Sequence, residues 1–145
     1  MKYTLRPYQQ EAVDSAMAHI RSTISSCVII LPTGAGKSMV VAELASRIYD
    51  MSKKRVLCIA PTSELVVQNR AKYLLTGEPA SMFSAKAGPK NLRHPVVFGS
   101  PVTIKNSIEM FGDKYGAVII DECDGITPTI KFIINEMKRR NPKLR

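Results

Sequence analysis

Short, β-branched apolar runs recur along the 145-residue chain at 27–31 (CVIIL), 55–60 (RVLCIA), 95–98 (PVVF) and 116–120 (GAVII). A run of four to six residues without polar alternation is the pattern of a strand buried on both faces. Residues 80–84 (ASMFS) form a weaker fifth candidate. Helical periods fill the intervals. Pro7 suits the first position of a helix whose Val13, Ala16, Met17 and Ile20 share one face. Val40, Val41, Leu44, Ala45 and Ile48 repeat the pattern, as do Leu65, Val66, Asn69 and Tyr73, a stretch near 101–111, and Ile130, Ile133, Ile134 and Met137 behind Pro128. Such alternation leaves few folds open: an α/β domain with a mainly parallel sheet flanked by helices on both faces. With no internal repeat and no low-complexity linker, residues 1–145 are expected to form one domain.

Between the first strand candidate and the second helix lies LPTGAGKS, residues 31–38. The phosphate-binding loop pattern has a glycine five residues ahead of its Gly-Lys pair, and here Leu31 takes that place. That position ends the strand and need not touch phosphate. Thr33, Gly34, Ala35 and Gly36 would turn backbone N–H groups onto an anion, aided by the helix N-terminus. Lys37 would neutralise the β- and γ-phosphates of ATP, and the Ser38 hydroxyl would ligate Mg²⁺. The alternative is a glycine-rich turn without ligand. A second carboxylate source follows the last strand candidate in Asp121-Glu122-Cys123-Asp124. Carboxyl ends of parallel strands are where such sheets gather ligands, so Asp121 would hold Mg²⁺ and Glu122 would orient the attacking water.

Taken together, LPTGAGKS, IAPTSELVVQ, VVFGSPVTIKNS and IIDECD resemble, in order, motifs I, Ia, Ib and II of a superfamily-2 helicase of DEAD/DEAH-like type. LRPYQQEAV resembles the Q-motif region that precedes them, and the likeness spans roughly residues 3–125. Within the superfamily, LRPYQQEAVD, LPTGAGKS, AKY and VVFGS are most similar to the bacterial RadD-type DNA-repair ATPases. The resemblance implies a RecA-like P-loop domain that binds ATP and Mg²⁺. It implies that Gln9, with Arg6, reads the adenine edge; ordinary helix-start polarity is the other reading of those two residues. It implies that the segment of Pro61, Thr62, Glu64 and Gln68 lies along single-stranded nucleic acid, and that Ser100 and Thr103 add a second phosphate contact. Ser63 stands where many relatives carry arginine, and Asp124 where the nearest carry histidine, as DEAD-type families also have aspartate there.

The net charge of +9 agrees with a nucleic-acid partner, DNA in the first instance. No acidic residue falls between Glu78 and Glu109, a span holding Lys86, Lys90, Arg93 and Lys105, and the terminal KRRNPKLR has five positive charges. Lys90 and Arg93 are therefore candidates for a basic track along the strand; solvated loop charges are the plainer alternative.

Other classes fit less well. The longest apolar run is too short to cross a bilayer, no apolar segment follows the first charges as in a signal peptide, and Cys27, Cys58 and Cys123 lie far apart without a CxxC pair. A cytoplasmic protein with reduced thiols and no membrane is expected. Motifs III to VI do not occur before Arg145, so the expectation is the first lobe of a longer protein whose second RecA-like lobe supplies arginine fingers. Alone it would be weakly active or inactive. The alternatives are a nucleotide- and DNA-binding fragment without turnover, the translocase subunit of a restriction-type enzyme, and, disfavoured because PTSEL and DECD would have no task, a small P-loop kinase.

Overall fold

The computed structural model describes residues 5–22, 37–84, 92–111, 114–121, 128–141 and 144. The strand expected at 27–31, the loop 31–36, Lys86, Lys90 and residues 122–127 lie outside that set. Helix α1 is Pro7–Ser22 and α2 is Lys37–Ser52; β1 (Arg55–Ile59), α3 (Ser63–Leu74), β2 (Ser81–Phe83), β3 (Val96–Gly99), α4 (Pro101–Asn106), β4 (Tyr115–Ile120) and α5 (Pro128–Arg140) follow. The four strands make one sheet in the order β2-β3-β1-β4, with every pairing parallel. The α/β expectation and the positions of all four described strands hold, including the weak one at 80–84.

Alternation along β1 explains its unbroken apolar sequence. Val56 and Cys58 join the core under α1, α2 and α3, whereas Leu57 and Ile59 join the core formed with Ile104, Ile133 and Met137 of α4 and α5. Both faces are thus covered, and a strand in that position has no solvent side on which to place polar residues. Gly99 closes β3 where a Cβ would stand 2.9 Å from both the Phe83 carbonyl oxygen and Ile104 Cδ1, so only glycine fits without displacement. The stretch expected to be helical near 101–111 is divided: α4 stops at Asn106, Ser107 leaves helical geometry at φ −129°, and a single 3-10 turn runs from Ile108 to Met110.

Chain direction sets the two ends of this sheet. Helix α2 ends at Ser52, two residues before β1 begins, and packs along β1 and β4. Its first residues therefore lie toward the carboxyl ends of the strands. Helices α3 and α4 start within four residues of the carboxyl ends of β1 and β3. The amino ends of the strands face the other way, about 17 Å off at the rise of a five-residue strand.

Candidate nucleotide and nucleic-acid site

Lys37 and Ser38 open α2, with Lys37 half-buried and Ser38 buried. Asp121 follows β4 directly. Its N–H donates to the Ile59 carbonyl at 2.8 Å, extending the ladder by one residue and fixing where the carboxylate starts. The side chain is 7% exposed, and Asn69 Nδ2 donates to Asp121 Oδ2 at 2.9 Å. Beneath it, the Cys58 thiol is pushed well above its ordinary range, first by burial and then by the charge of Asp121. It stays a neutral SH and adds no competing charge.

The described donors suit magnesium. A hydroxyl and a carboxylate are hard oxygen ligands, and Mg²⁺ is commonly held by one or two carboxylates together with phosphate oxygens and water rather than by a protein cage. No cluster of three or more His, Cys, Asp or Glu able to enclose a metal occurs among the described residues. Thr33, Gly34, Ala35, Gly36 and Glu122 belong to segments outside the described set.

At the start of α1, Gln9 is 4% exposed and its Oε1 accepts the Arg6 backbone N–H at 2.8 Å. This is the geometry of a capping box, in which the third helical side chain reaches back to the N-cap amide. The plainer reading of Gln9 as helix-start polarity thus has a visible basis, while the Arg6 guanidinium reaches Tyr8 Oη at 3.0 Å on the surface. Arg47 ties α1 to α2, with Nη1 3.0 Å from Asp14 and Nε 2.7 Å from the buried Glu43 carboxylate. The hydrogen bond with Glu43 is the main reason that the Arg47 pKa is raised, against partial burial, which lowers it.

Pro61 and Thr62 are exposed at the head of α3, and Thr62 Oγ1 caps the helix by accepting the Leu65 N–H at 3.2 Å. The hydroxyl proton remains available for donation. Gln68 is exposed on the same helix. Ser100 Oγ lies 3.1 Å from both Ser84 Oγ and Thr103 Oγ1, and Ser84 Oγ lies 3.1 Å from Ser63 Oγ. One hydroxyl has one proton and two lone pairs, so Ser100 can donate to only one of its two neighbours, and the three contacts link four hydroxyls in a chain. The chain joins α3 to α4 through a serine that is 1% exposed. Thr103 is itself buried, with its Oγ1 against Ser100.

Arg93 does not join this group. It precedes β3, and the adjacent Leu92 and His94 carbonyls accept hydrogen bonds from Arg55 Nη1 at 2.9 and 3.1 Å at the amino end of β1. At that end a cavity of about 420 Å³ is lined by Tyr49, Lys53, Lys54, Arg55, Pro95 and Lys114. Arg93 and Ser100, expected on one track, therefore lie at opposite ends of β3, while Lys86 and Lys90 are outside the described residues. Sequence reading also missed Asn69, which the helical period places among packing residues, and Ser84, which lies in no motif. A polar residue on an otherwise apolar helical stripe was the available signal for Asn69; Ser84 had none.

Residues 2–139 match the family described as type III restriction enzyme, res subunit. The chain belongs to that family. It is 31% identical over 123 residues to the DNA 3'-5' translocase XPB2 of Sulfurisphaera tokodaii, covering 83% of this chain and 25% of that protein. Thus the chain spans about a quarter of the length of this relative. Among solved structures, the UvsW helicase of bacteriophage T4 superposes with a TM-score of 0.76 at 24% identity, over 98% of this chain and 51% of that one. The SWI2/SNF2 ATPase core of Sulfolobus solfataricus, solved with dsDNA, gives 0.75 at 17% identity over 94% of this chain and 30% of that one. The fold is that of a superfamily-2 helicase first lobe, α/β and RecA-like. No helix among the described residues is long and apolar enough to cross a membrane.

Proposed function

We propose that the chain is the ATP-binding lobe of a superfamily-2 DNA translocase or helicase, coupling ATP hydrolysis to movement on, or remodelling of, nucleic acid. The observation that carries this reading is the convergence at one sheet edge of Lys37 and Ser38 at the head of α2 with the buried Asp121 after β4. Gly34, Ala35 and Gly36 cradle the phosphates with backbone amides, Thr33 flanks them, and Lys37 neutralises the γ-phosphate. Bound Mg²⁺ would screen the phosphate charge. Ser38 and Asp121 present the oxygens to hold it, and Glu122 orients the attacking water by accepting its proton. Arg6 and Gln9 form the adenine side.

Thr62, with Pro61 and Gln68 beside it, and Ser100, braced by Thr103, meet the backbone of single-stranded DNA. Reading that backbone with neutral hydroxyls and amides suits recognition without sequence preference. The sequence motifs favour a RadD-type role in DNA repair or recombination, in the cytoplasm. The family match favours a second reading, the translocase subunit of a restriction-type enzyme. Both need a second RecA-like lobe.

The test is ATP turnover with and without single-stranded DNA, for this chain and for a version extended through a second lobe. The extended protein is expected to turn over about 10³–10⁵ times faster, the factor associated with an arginine finger. Equal turnover in the two would overturn the first-lobe reading.

A further inference from the structure

Asn69 is the most buried polar side chain of α3, 1% exposed, and it shares that helix's inward stripe with Val66 and Tyr73. Its surroundings are those of a core leucine. Its amide orientation is fixed by chemistry, because the Asp121 carboxylate can only accept and must therefore face the NH₂ group. The consequence is an unmet need on the other side. Among the described residues, Asn69 Oδ1 has no hydrogen-bond partner although it is fully buried. A buried carbonyl without a donor weakens a fold, and an apolar side chain of similar size would avoid that loss. Folding alone does not account for asparagine at this position; the hydrogen bond to Asp121 does.

We infer that Asn69 is a positioning residue for the metal-side carboxylate, an inference that rests on the proposed nucleotide site. Its Nδ2–H occupies Asp121 Oδ2 and fixes the rotation of the carboxylate that follows β4. The same residue links the two halves of the proposed mechanism. Helix α3 begins at the exposed Thr62 cap and carries Asn69 two turns further on, about 10 Å along a rigid rod. A nucleic-acid backbone that shifts the head of α3 therefore shifts the donor that aims Asp121.

The experiment measures affinity for a non-hydrolysable ATP analogue with and without Mg²⁺, together with thermal melting of the ligand-free chain, for wild type, Asn69→Leu and Asn69→Ser. Asn69→Leu removes the unpaired Oδ1 but leaves the buried Asp121 Oδ2 without this donor, so it is expected to melt near the wild-type temperature and to bind the metal-free analogue as wild type does. Its Mg²⁺-dependent gain in affinity should fall about 10- to 100-fold, the usual effect of removing an outer partner of a metal ligand. Asn69→Ser, which restores a short donor, should recover part of that gain, and it serves in place of the leucine variant if that one fails to fold. In wild type, oligothymidylate should change the Mg²⁺-dependent gain, and Asn69→Leu should remove most of that change. An unaltered Mg²⁺ gain in Asn69→Leu, or a gain lost equally in the serine variant, overturns the positioning role. A retained oligothymidylate effect overturns the link through α3. Should wild type itself bind no analogue, the nucleotide site fails, an outcome separate from either of these.

Discussion

At the carboxyl edge of the sheet the polar groups other than Lys37 are short, largely buried and paired: Asp121 with Asn69, Ser63 with Ser84, Ser84 with Ser100, Ser100 with Thr103. At the amino edge they are long and cationic, with Lys53, Lys54, Arg55 and Lys114 around an open cavity and no carboxylate among the described residues of its wall. Both edges belong to the same parallel strands, so the contrast does not come from the fold. A short side chain held by hydrogen bonds has one orientation and can select a geometry. A lysine on a flexible stem supplies charge in many orientations and attracts any anion. Two details fit the amino edge to that role. Lys53 takes the left-handed conformation at φ 58°, turning the chain sharply between α2 and β1, and the missing side chain of Gly116 leaves room for Lys54, whose Cβ would be 2.8 Å from an added Cβ. The chemistry is therefore expected to reside at the first edge and non-specific attraction at the second.

The largest expected effect is at the carboxyl edge. Glu122→Gln should keep binding of the ATP analogue and lower hydrolysis in the two-lobed protein by about 10²–10⁴, since the amide keeps the shape but cannot accept the water's proton. Hydrolysis at the wild-type rate would move the water-orienting role elsewhere. Next in size, Lys37→Ala should weaken analogue binding about 10- to 100-fold, the worth of a charge-assisted hydrogen bond. Calorimetry on both variants with Mg²⁺ present separates the two: one loses turnover and the other loses affinity. Neutralising Lys53, Lys54 or Lys114 should do neither, and a turnover defect in any of them would break the contrast between the edges.

How much of this was legible in the sequence follows from what each signal encodes. The strands could be read because burial on both faces removes polar residues, and the heads of α3 and α4 because Thr62 and Ser100-Pro101 are strong helix starts. The break at Ser107 could not be read, since its residue types suit a continuing helix about as well as a turn. Asn69 matched the helical period, and periodicity gives the face but not what stands opposite it. The acid-free span from 79 to 108 misled for a related reason. It placed Arg93 with Ser100, yet β3 runs between them, and a strand carries its two ends to opposite sides of the molecule. Nearness in sequence across a strand implies separation in space.

That separation gives the smallest and most discriminating prediction. Ser84→Ala removes a neutral hydroxyl that accepts from Ser100 and shares a hydrogen bond with Ser63, so it should lower single-stranded DNA affinity only about 2- to 10-fold, the range for a neutral hydrogen bond. No ion is displaced by a hydroxyl, and the slope of log K against log salt should stay as in wild type. Arg93→Ala and Lys54→Ala remove charge at the other edge and should leave the affinity at low salt nearly as it was in short oligonucleotides, which reach one edge at a time. Longer strands that cross to the amino edge should show the slope flattened by about 0.7 for each phosphate that is no longer neutralised. A salt titration with short and long oligothymidylate therefore reads the two edges separately. If Arg93→Ala flattened the slope equally for both lengths, Arg93 would belong to the primary track after all. A Ser84→Ala variant with a flattened slope would mean that the hydroxyl chain holds a charged group against the strand, and the division into directional and electrostatic edges would then fail.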